Sequence, residues 1–99
     1  MVLRPEWLRR TEVPSAQDVL LIVEISVTTV EYDRDVKIPL YAKHAIPEVW
    51  FFEPVTQSVS VYREPARNEY RRLLTPQKHD TITAVMLPSV RVLLTDLWK

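Results

Sequence analysis

The chain has 99 residues and a mass of 11.7 kDa; 46% of its residues are hydrophobic and 26% are charged, as is typical of a folded globular domain. Thirteen Lys and Arg balance thirteen Asp and Glu, so no overall positive field indicates a nucleic-acid or membrane partner. The absence of cysteine excludes a disulfide framework, a thiolate zinc site and a cysteine nucleophile. The absence of glycine excludes a P-loop, a dinucleotide-binding fingerprint and a nucleophile elbow. Without glycine, we expect every tight turn to use Pro, Asn, Asp or Ser.

Two features of the sequence argue against a membrane or secreted protein. The longest apolar run, at residues 19–23, has five residues, whereas a membrane-spanning helix needs about 20. The first residues, MVLRPE, contain no apolar stretch of the kind found in secretory signals. We therefore expect a cytoplasmic protein that does not insert into a membrane.

The N-terminal half predicts a strand followed by a helix. Residues 1–16 are interpreted as the tail of a strand and an irregular or short helical connection. Residues 18–26, DVLLIVEIS, are apolar and β-branched, which predicts a strand covered on both faces. Thr28 and Glu31 have the spacing of a capping box, and a helix is expected over residues 30–44. Pro39 lies inside this helix, so we expect a kink near Asp35 or two abutting helical pieces.

The C-terminal half predicts several strands. Residues 48–53 and the alternating residues 58–63 read as an antiparallel hairpin. Weaker strands are expected at residues 70–75, 82–85 and 90–94, and a terminal helical turn at residues 95–98. The fold class is therefore α/β, in the sense of an α+β mixed sheet. The domain division is one partial domain over residues 1–99: a strand tail and connection (1–16), a strand-helix-hairpin core (17–63) and C-terminal strands (64–99).

Glu24 is the most unusual residue of the first long strand, because an unpaired carboxylate in an apolar strand is energetically costly. In a structural interpretation, strand curvature exposes the carboxylate or a structural Lys or Arg pairs with it. In a functional interpretation, Glu24 is a metal ligand or a general acid/base. The position of Glu24 alone gives the structural interpretation about half the weight. Asp18 shares its face but lies roughly 20 Å away along an extended strand, too far to bind the same ion. Asp18 is therefore rejected as a catalytic partner of Glu24.

Lys37 lies on the helix face of Asp33 and Tyr41, by the i, i+4 rule. Taken alone, Asp33 and Lys37 favour an ordinary solvent-facing ion pair. His44 and His79 do not have the spacing of a zinc motif and are interpreted as surface or capping residues. A group of arginines around Asn68 could follow a phosphate backbone, although a solvated hairpin rim is favoured in a neutral chain. These are Arg63, Arg67, Arg71 and Arg72.

Three segments together resemble a known family more closely than any periodicity does. They are DVLLIVEIS at 18–26, EYDRDVKIPLYA at 31–42 and IPEVW at 46–50, and the similarity continues through SVSVYR at 58–63, Pro88 and DLW at 96–98. They resemble the Uma-type restriction endonucleases of the PD-(D/E)XK nuclease superfamily. The resemblance covers nearly the whole chain. It implies a restriction-endonuclease-like fold, with a mixed sheet and a helix packed against it.

The resemblance also implies a metal-dependent nuclease site. In the family, an acidic residue from a Pro-Asp strand and a second from a central strand bind Mg²⁺ or Mn²⁺, and a lysine completes the site. Glu24 matches the second acidic residue and is both the expected metal ligand and a catalytic residue. The lysine usually found two positions later is absent, because that position is Ser26. Lys37, on the following helix, is the residue that matches it, and the implied partner is DNA.

The sequence departs from the family pattern in ways that leave two hypotheses open. The expected Pro-Asp strand would lie upstream of Met1, so the chain resembles the C-terminal portion of such a nuclease, truncated or given a misplaced start. Val27 stands where the family often has Ser or Asp, and Ala45 where a glycine is expected. One hypothesis is that the protein is a metal-dependent DNA endonuclease and that this chain cleaves DNA weakly or not at all. The other is a catalytically silent remnant that associates with itself, as a homodimer, or with a partner. A sheet-edge scaffold unrelated to nucleic acid is a third, smaller possibility.

Overall fold

The computed structural model describes residues 2–3 and 18–98. Five strands form one mixed sheet, in the same order as in the chain. They are β1 (Val2–Leu3), β2 (Val19–Ile25), β3 (Glu48–Glu53), β4 (Ser58–Ala66) and β5 (Glu69–Leu74). Strands β2 and β3 are parallel and every other neighbouring pair is antiparallel. The mixed α+β architecture and the β3–β4 hairpin are as the sequence predicts.

A helix connects the two parallel strands and contains a break. It consists of α1 (Val30–Tyr32), a π turn (Asp33–Lys37) and α2 (Ile38–Lys43), which confirms the predicted helix and its irregularity. Pro39 has no N–H to donate to the carbonyl of Asp35, so the regular α-helical bonding is lost at this point. The predicted capping box is wrong. The N-cap is Thr29, which makes no side-chain capping bond, and its hydroxyl donates to Asp33 instead.

The end of α2 requires a left-handed residue, and that residue is Ala45, with φ of 57°. The Ala45 N–H donates to the carbonyl of Ala42, and the Ile46 N–H donates to the carbonyl of Tyr41, at 2.9 and 3.0 Å. This pair of bonds is the Schellman motif, which most often places glycine at the left-handed position. The sequence-based expectation that alanine replaces glycine here is therefore consistent with the backbone.

Three further residues in the described part of the chain adopt positive φ, and none of them is Pro, Asn, Asp or Ser. They are Gln57 at 53°, Glu64 at 59° and Arg67 at 59°. Arg67 begins the two-residue turn between β4 and β5, and Gln57 ends the turn between β3 and β4. The turn at 54–57 contains Pro54 and the turn at 67–68 contains Asn68, as the sequence predicts, but the left-handed residues of these turns are Gln57 and Arg67. A chain without glycine still needs left-handed residues where hairpin geometry requires them, at a local cost of about 1–2 kcal/mol each.

The sheet has an apolar core on each face. On one face, Val49, Phe51 and Ile46 pack under the helix with Ile38. On the other face, Trp50, Phe52 and Val61 pack under the C-terminal segment. The prediction that β2 is covered on both faces is wrong for its second half, because Val23 and Ile25 are 38% and 66% exposed.

The C-terminal segment forms a two-stranded ribbon and a short helix over the sheet. The elements are β6 (Thr81–Thr83), β7 (Arg91–Leu93) and α3 (Leu94–Leu97), close to the predicted strands and terminal turn. The strand tail predicted at the N-terminus is present as β1, and residues 4–16 of that prediction lie outside the described residues. No helix among the described residues is long and apolar enough to cross a membrane.

Candidate active site

Glu24 lies one residue before the end of β2, on the face that the helix covers. Its neighbours Val23 and Ile25 point to the opposite face, as the alternation of a strand requires. The Glu24 side chain is 17% exposed, so it is mostly buried but still accessible to water. A carboxylate in this position needs partners, and the helix supplies them.

Lys37 and Tyr41 each contact one oxygen of the Glu24 carboxylate. The Lys37 Nζ lies 3.5 Å from Glu24 Oε2, and the Tyr41 hydroxyl donates to Glu24 Oε1. Glu24 and Lys37 are 13 positions apart in the chain, so only the fold brings them together. The two residues that the family resemblance selects are therefore neighbours, and their catalytic roles stay predictions.

Asp33 forms the other side of the cluster and contacts Lys37 as well. Its Oδ1 lies 3.7 Å from the Lys37 Nζ, as the i, i+4 spacing predicts. Its Oδ2 accepts hydrogen bonds from the hydroxyls of Ser26 and Thr29, at 2.7 and 2.9 Å. These bonds, the one from Ser26 above all, and then the positive charge of Lys37 hold the pKa of Asp33 below its usual value. Asp33 is therefore a carboxylate at neutral pH, and Lys37 lies between two negative groups.

Tyr41 is a stable hydrogen-bond donor in this cluster. Burial is the main reason that its pKa is raised well above the usual value for a tyrosine, and the hydrogen bond to Glu24 and the negative charge of Glu24 raise it further. The phenol consequently stays protonated at neutral pH. Sequence reasoning placed Tyr41 on the same helix face as Lys37 but assigned it no role.

The cluster combines an accessible cation with two shielded carboxylates. The Lys37 side chain is 40% exposed, whereas Glu24 and Asp33 are 17% and 13% exposed. An anionic group such as a phosphate can approach Lys37 from solvent, and the ammonium can stabilise negative charge that develops on it. Glu24 can accept a proton or bind a cation at the same point.

Glu24 is the carboxylate of the described residues that the family resemblance assigns to a magnesium ion. Within residues 18–98, no three His, Asp or Glu side chains are arranged to hold a metal ion. Magnesium is usually bound by one or two carboxylates together with water and substrate phosphates, so one carboxylate is compatible with a weak site. Both oxygens of Glu24 already have donors, however, and a metal ion would compete with Lys37 for Glu24 Oε2.

The other candidates from the sequence lie outside this cluster. Asp18 immediately precedes β2, and His44 ends α2 in an exposed position. Arg63 belongs to a separate buried ion pair, while the remaining arginines of the predicted basic group are exposed on β5 and the turn before it. This group therefore does not act as a single phosphate-binding set.

The buried ion pair is the main polar feature that sequence reasoning missed. Glu48 is 2% exposed, and its Oε2 accepts from Arg63 Nε at 2.9 Å and from Trp50 Nε1 at 2.8 Å. Its Oε1 accepts from the backbone N–H of Val85, also at 2.9 Å, and Arg63 donates to the carbonyl of Thr83. The alternation in residues 58–63, which places Arg63 on the same face as Val59 and Val61, could have indicated that Arg63 is drawn into the core by a partner. The pair fastens the C-terminal segment to the sheet.

Comparison with known families supports the resemblance seen in the sequence. Residues 1–95 match the model of a family described as "Uma2: Putative restriction endonuclease". The match includes Glu24, Lys37 and all seven strands. A search of curated proteins gives no match. The mixed sheet with its connecting helix is consistent with a restriction-endonuclease-like fold.

Proposed function

The chain belongs to the Uma2 family, within the restriction-endonuclease-like superfamily, and from this premise we propose that it is a metal-dependent DNA endonuclease of low activity. Glu24 and Lys37 are the proposed catalytic residues. The proposed reaction is hydrolysis of a phosphodiester. Water adds to phosphorus, the bond from phosphorus to the departing sugar oxygen breaks, and a proton from the water is passed to that oxygen.

The observation that carries the proposal is the 3.5 Å contact between Lys37 Nζ and Glu24 Oε2. An ion pair alone would be an ordinary structural feature, since a carboxylate in an apolar strand needs a counter-charge. This pair lies at the end of a central strand and involves the two residues that match the nuclease pattern. Its lysine is also the most exposed member of the cluster, which suits a group that must meet a substrate.

Each proposed residue has a distinct task. Lys37 binds the non-bridging oxygens of the phosphate and stabilises the charge that grows on them as the bond breaks. Glu24 orients the attacking water and is the proposed protein ligand for Mg²⁺ or Mn²⁺. When bound, the ion would polarise the phosphate and lower the pKa of a bound water. A single carboxylate ligand explains why we expect low activity.

The test is a nicking assay with supercoiled plasmid and Mg²⁺ or Mn²⁺. We expect slow conversion to the open circle by the wild-type chain and none in the presence of EDTA. Lys37→Met should lower the rate by about 10²–10³-fold, as does the loss of one preorganised electrostatic group in other enzymes. Lys43→Met is the matched control, because Lys43 is an exposed lysine near the end of the same helix. It should cleave at the wild-type rate.

Equal losses in the two lysine variants would point to general DNA binding rather than to a catalytic Lys37. Nicking that survives both Lys37→Met and Glu24→Gln would contradict the assignment of the site. No nicking by the wild-type chain under any of these metal conditions would contradict the endonuclease proposal for this chain and favour the silent module.

The silent-module alternative is favoured by an apolar groove on the other side of β2. Its volume is about 260 Å³, and its lining is entirely apolar. The lining residues are Val23, Ile25, Trp50, Phe52, Pro54, Val92, Leu97 and Trp98. Among the described strands, β1 pairs with Val19 and Leu21 only, so the outer edge of β2 beyond them has no strand partner there. A second copy of the chain is the occupant that this open edge and groove suit.

Sedimentation velocity decides whether the groove is a dimer interface. Ile25→Asp should dissociate a dimer, because Ile25 lines the groove at the open edge. Val55→Asp is the control, since Val55 is equally apolar and 75% exposed on the turn between β3 and β4. A wild-type chain that is monomeric at all accessible concentrations would exclude the homodimer.

A further inference from the structure

The π turn changes the directions in which side chains project from the helix that faces Glu24. Asp33, Lys37 and Tyr41 are spaced by four residues, and in a regular α-helix each such step turns about 40° beyond a full turn. Asp33 and Tyr41 would then diverge by roughly 80°. A π turn is wider, so a four-residue step within it falls short of a full turn. Because the step from Asp33 to Lys37 lies in the π turn and the next step lies in α2, the two deviations oppose each other.

We propose that Tyr41 and Asp33 are positioning residues of the Glu24–Lys37 site, and that the π turn next to Pro39 sets them in line with it. Tyr41 acts on the Glu24 carboxylate, and Asp33 acts on the Lys37 ammonium. The meaning of this arrangement for catalysis rests on the proposed function. The arrangement itself is testable in the free protein.

Tyr41 fixes the rotation of the Glu24 carboxylate. With Tyr41 on Oε1 and Lys37 on Oε2, both oxygens have a donor that comes from one rigid element. A carboxylate held at a single oxygen can rotate about its last bond, whereas one held at both cannot. The oxygen that faces Lys37, and with it the point where a cation or water would bind, is therefore determined by Tyr41.

Asp33 fixes the end of the flexible Lys37 side chain. A lysine has four rotatable methylene groups, and a single contact at 3.5 Å restrains it weakly. Asp33 adds a second contact and is itself anchored by the hydroxyls of Ser26 and Thr29. Ser26 is 2% exposed, stands two residues after Glu24 and donates its hydroxyl to Asp33. Ser26 therefore restrains Lys37 indirectly, because Asp33 contacts the Lys37 ammonium.

Pro39 influences the geometry through the backbone of the helix. Its missing N–H and its ring disturb regular bonding to the preceding turn, which is where the π turn lies. A π turn within an α-helix frequently marks a functional site. Here its effect is to keep Asp33 and Tyr41 on one line with Lys37 between them.

The experiment is NMR of the free protein, with ¹³Cζ-labelled tyrosine and ¹⁵Nζ-labelled lysine and without metal or DNA. Glu24→Gln should shift the ¹³Cζ signal of Tyr41, since its acceptor loses its charge. The Tyr70 signal is the internal control, because Tyr70 donates to the carbonyl of Ile46 and not to Glu24. It should stay in place. Equal responses of the two signals, or none at Tyr41, would overturn the assignment of Tyr41.

Two substitutions test Asp33 and the π turn. Asp33→Asn should leave the fold intact and change the ¹⁵Nζ chemical shift of Lys37, because the ammonium loses one of its two carboxylate contacts; an unchanged shift would overturn the role of Asp33. Pro39→Ala should shift the Tyr41 signal to that of an unbonded phenol without lowering the midpoint of unfolding, since alanine favours a regular helix. A merely structural proline would instead leave the Tyr41 signal unchanged, and that result would overturn the role of the π turn.

Binding of Mn²⁺, followed by electron paramagnetic resonance, connects the arrangement to the proposed function. Tyr41→Phe should weaken Mn²⁺ binding by about 10–100-fold, the usual effect of removing a hydrogen bond from a metal-binding side chain. Tyr32→Phe is the matched control, because Tyr32 is an exposed tyrosine on the same helix. If the wild-type chain binds no Mn²⁺, the metal-dependent function fails, while the NMR result still decides the positioning roles.

Discussion

Removing the guanidinium of Arg63 should destabilise the protein far more than removing that of its cross-strand neighbour Arg72. In Arg63→Met, the Glu48 carboxylate keeps its bonds from Trp50 and Val85 but loses the positive charge of Arg63. Breaking a buried ion pair at one partner costs about 3–5 kcal/mol. A domain of this size is stable by about 5–15 kcal/mol, so the loss is a large fraction of the total.

Urea unfolding followed by circular dichroism measures the effect. At a slope of roughly 1.5 kcal/mol per molar urea, the midpoint for Arg63→Met should fall by about 2–3 M. Arg72→Met is the control. Arg72 pairs with Glu64 at 3.7 Å with both side chains more than half exposed, and such pairs contribute about 0–1 kcal/mol. A similar small shift in both variants would refute the view that the Glu48 pair fastens the C-terminal segment to the sheet.

The left-handed residues and the Asp33 carboxylate give further predictions. Ala45→Gly should raise the free energy of unfolding by about 1 kcal/mol in thermal or urea unfolding, whereas Ala42→Gly, within the helix, should lower it by at least as much. Arg67→Gly should likewise stabilise, and a loss of stability in either left-handed position would contradict the backbone assignment. Because hydrogen bonds from Ser26 and Thr29 lower the folded pKa of Asp33, its contribution to stability is present above its ordinary pKa of 3.8 and is lost as pH falls through the lower folded value. The stability difference between wild type and Asp33→Asn should therefore shrink below about pH 4; a difference that stays constant with pH would contradict it.

The elements of the fold were predictable where local chemistry determines them. Pro39 is visible in the sequence, and it indicated a break in the helix near Asp35, where the π turn lies. The left-handed positions were not predictable by residue type, because hairpin geometry imposes positive φ on Gln57 and Arg67 regardless of preference. The exposure of Ile25 also escaped prediction, since the composition of a strand does not reveal how far its neighbours extend.

The candidate site was predictable in parts. Helical periodicity placed Asp33, Lys37 and Tyr41 on one face, and the charge in an apolar strand singled out Glu24. The contact between Glu24 and that face joins residues 13 positions apart, so spacing could not supply it, and only the family resemblance suggested it. The partner of Glu48 was missed because pairing it with Arg63 requires the register of β3 and β4.

The central claim is that Glu24 and Lys37 act together to cleave DNA, and a double-mutant comparison of cleavage rates tests it most directly. The assay follows cleavage of an end-labelled duplex in Mg²⁺ by the wild type, by Glu24→Gln, by Lys37→Met and by the double variant. Residues that act as one unit are strongly non-additive. The double variant should therefore be no slower than the slower single variant. Cleavage that is unchanged in both single variants would contradict it.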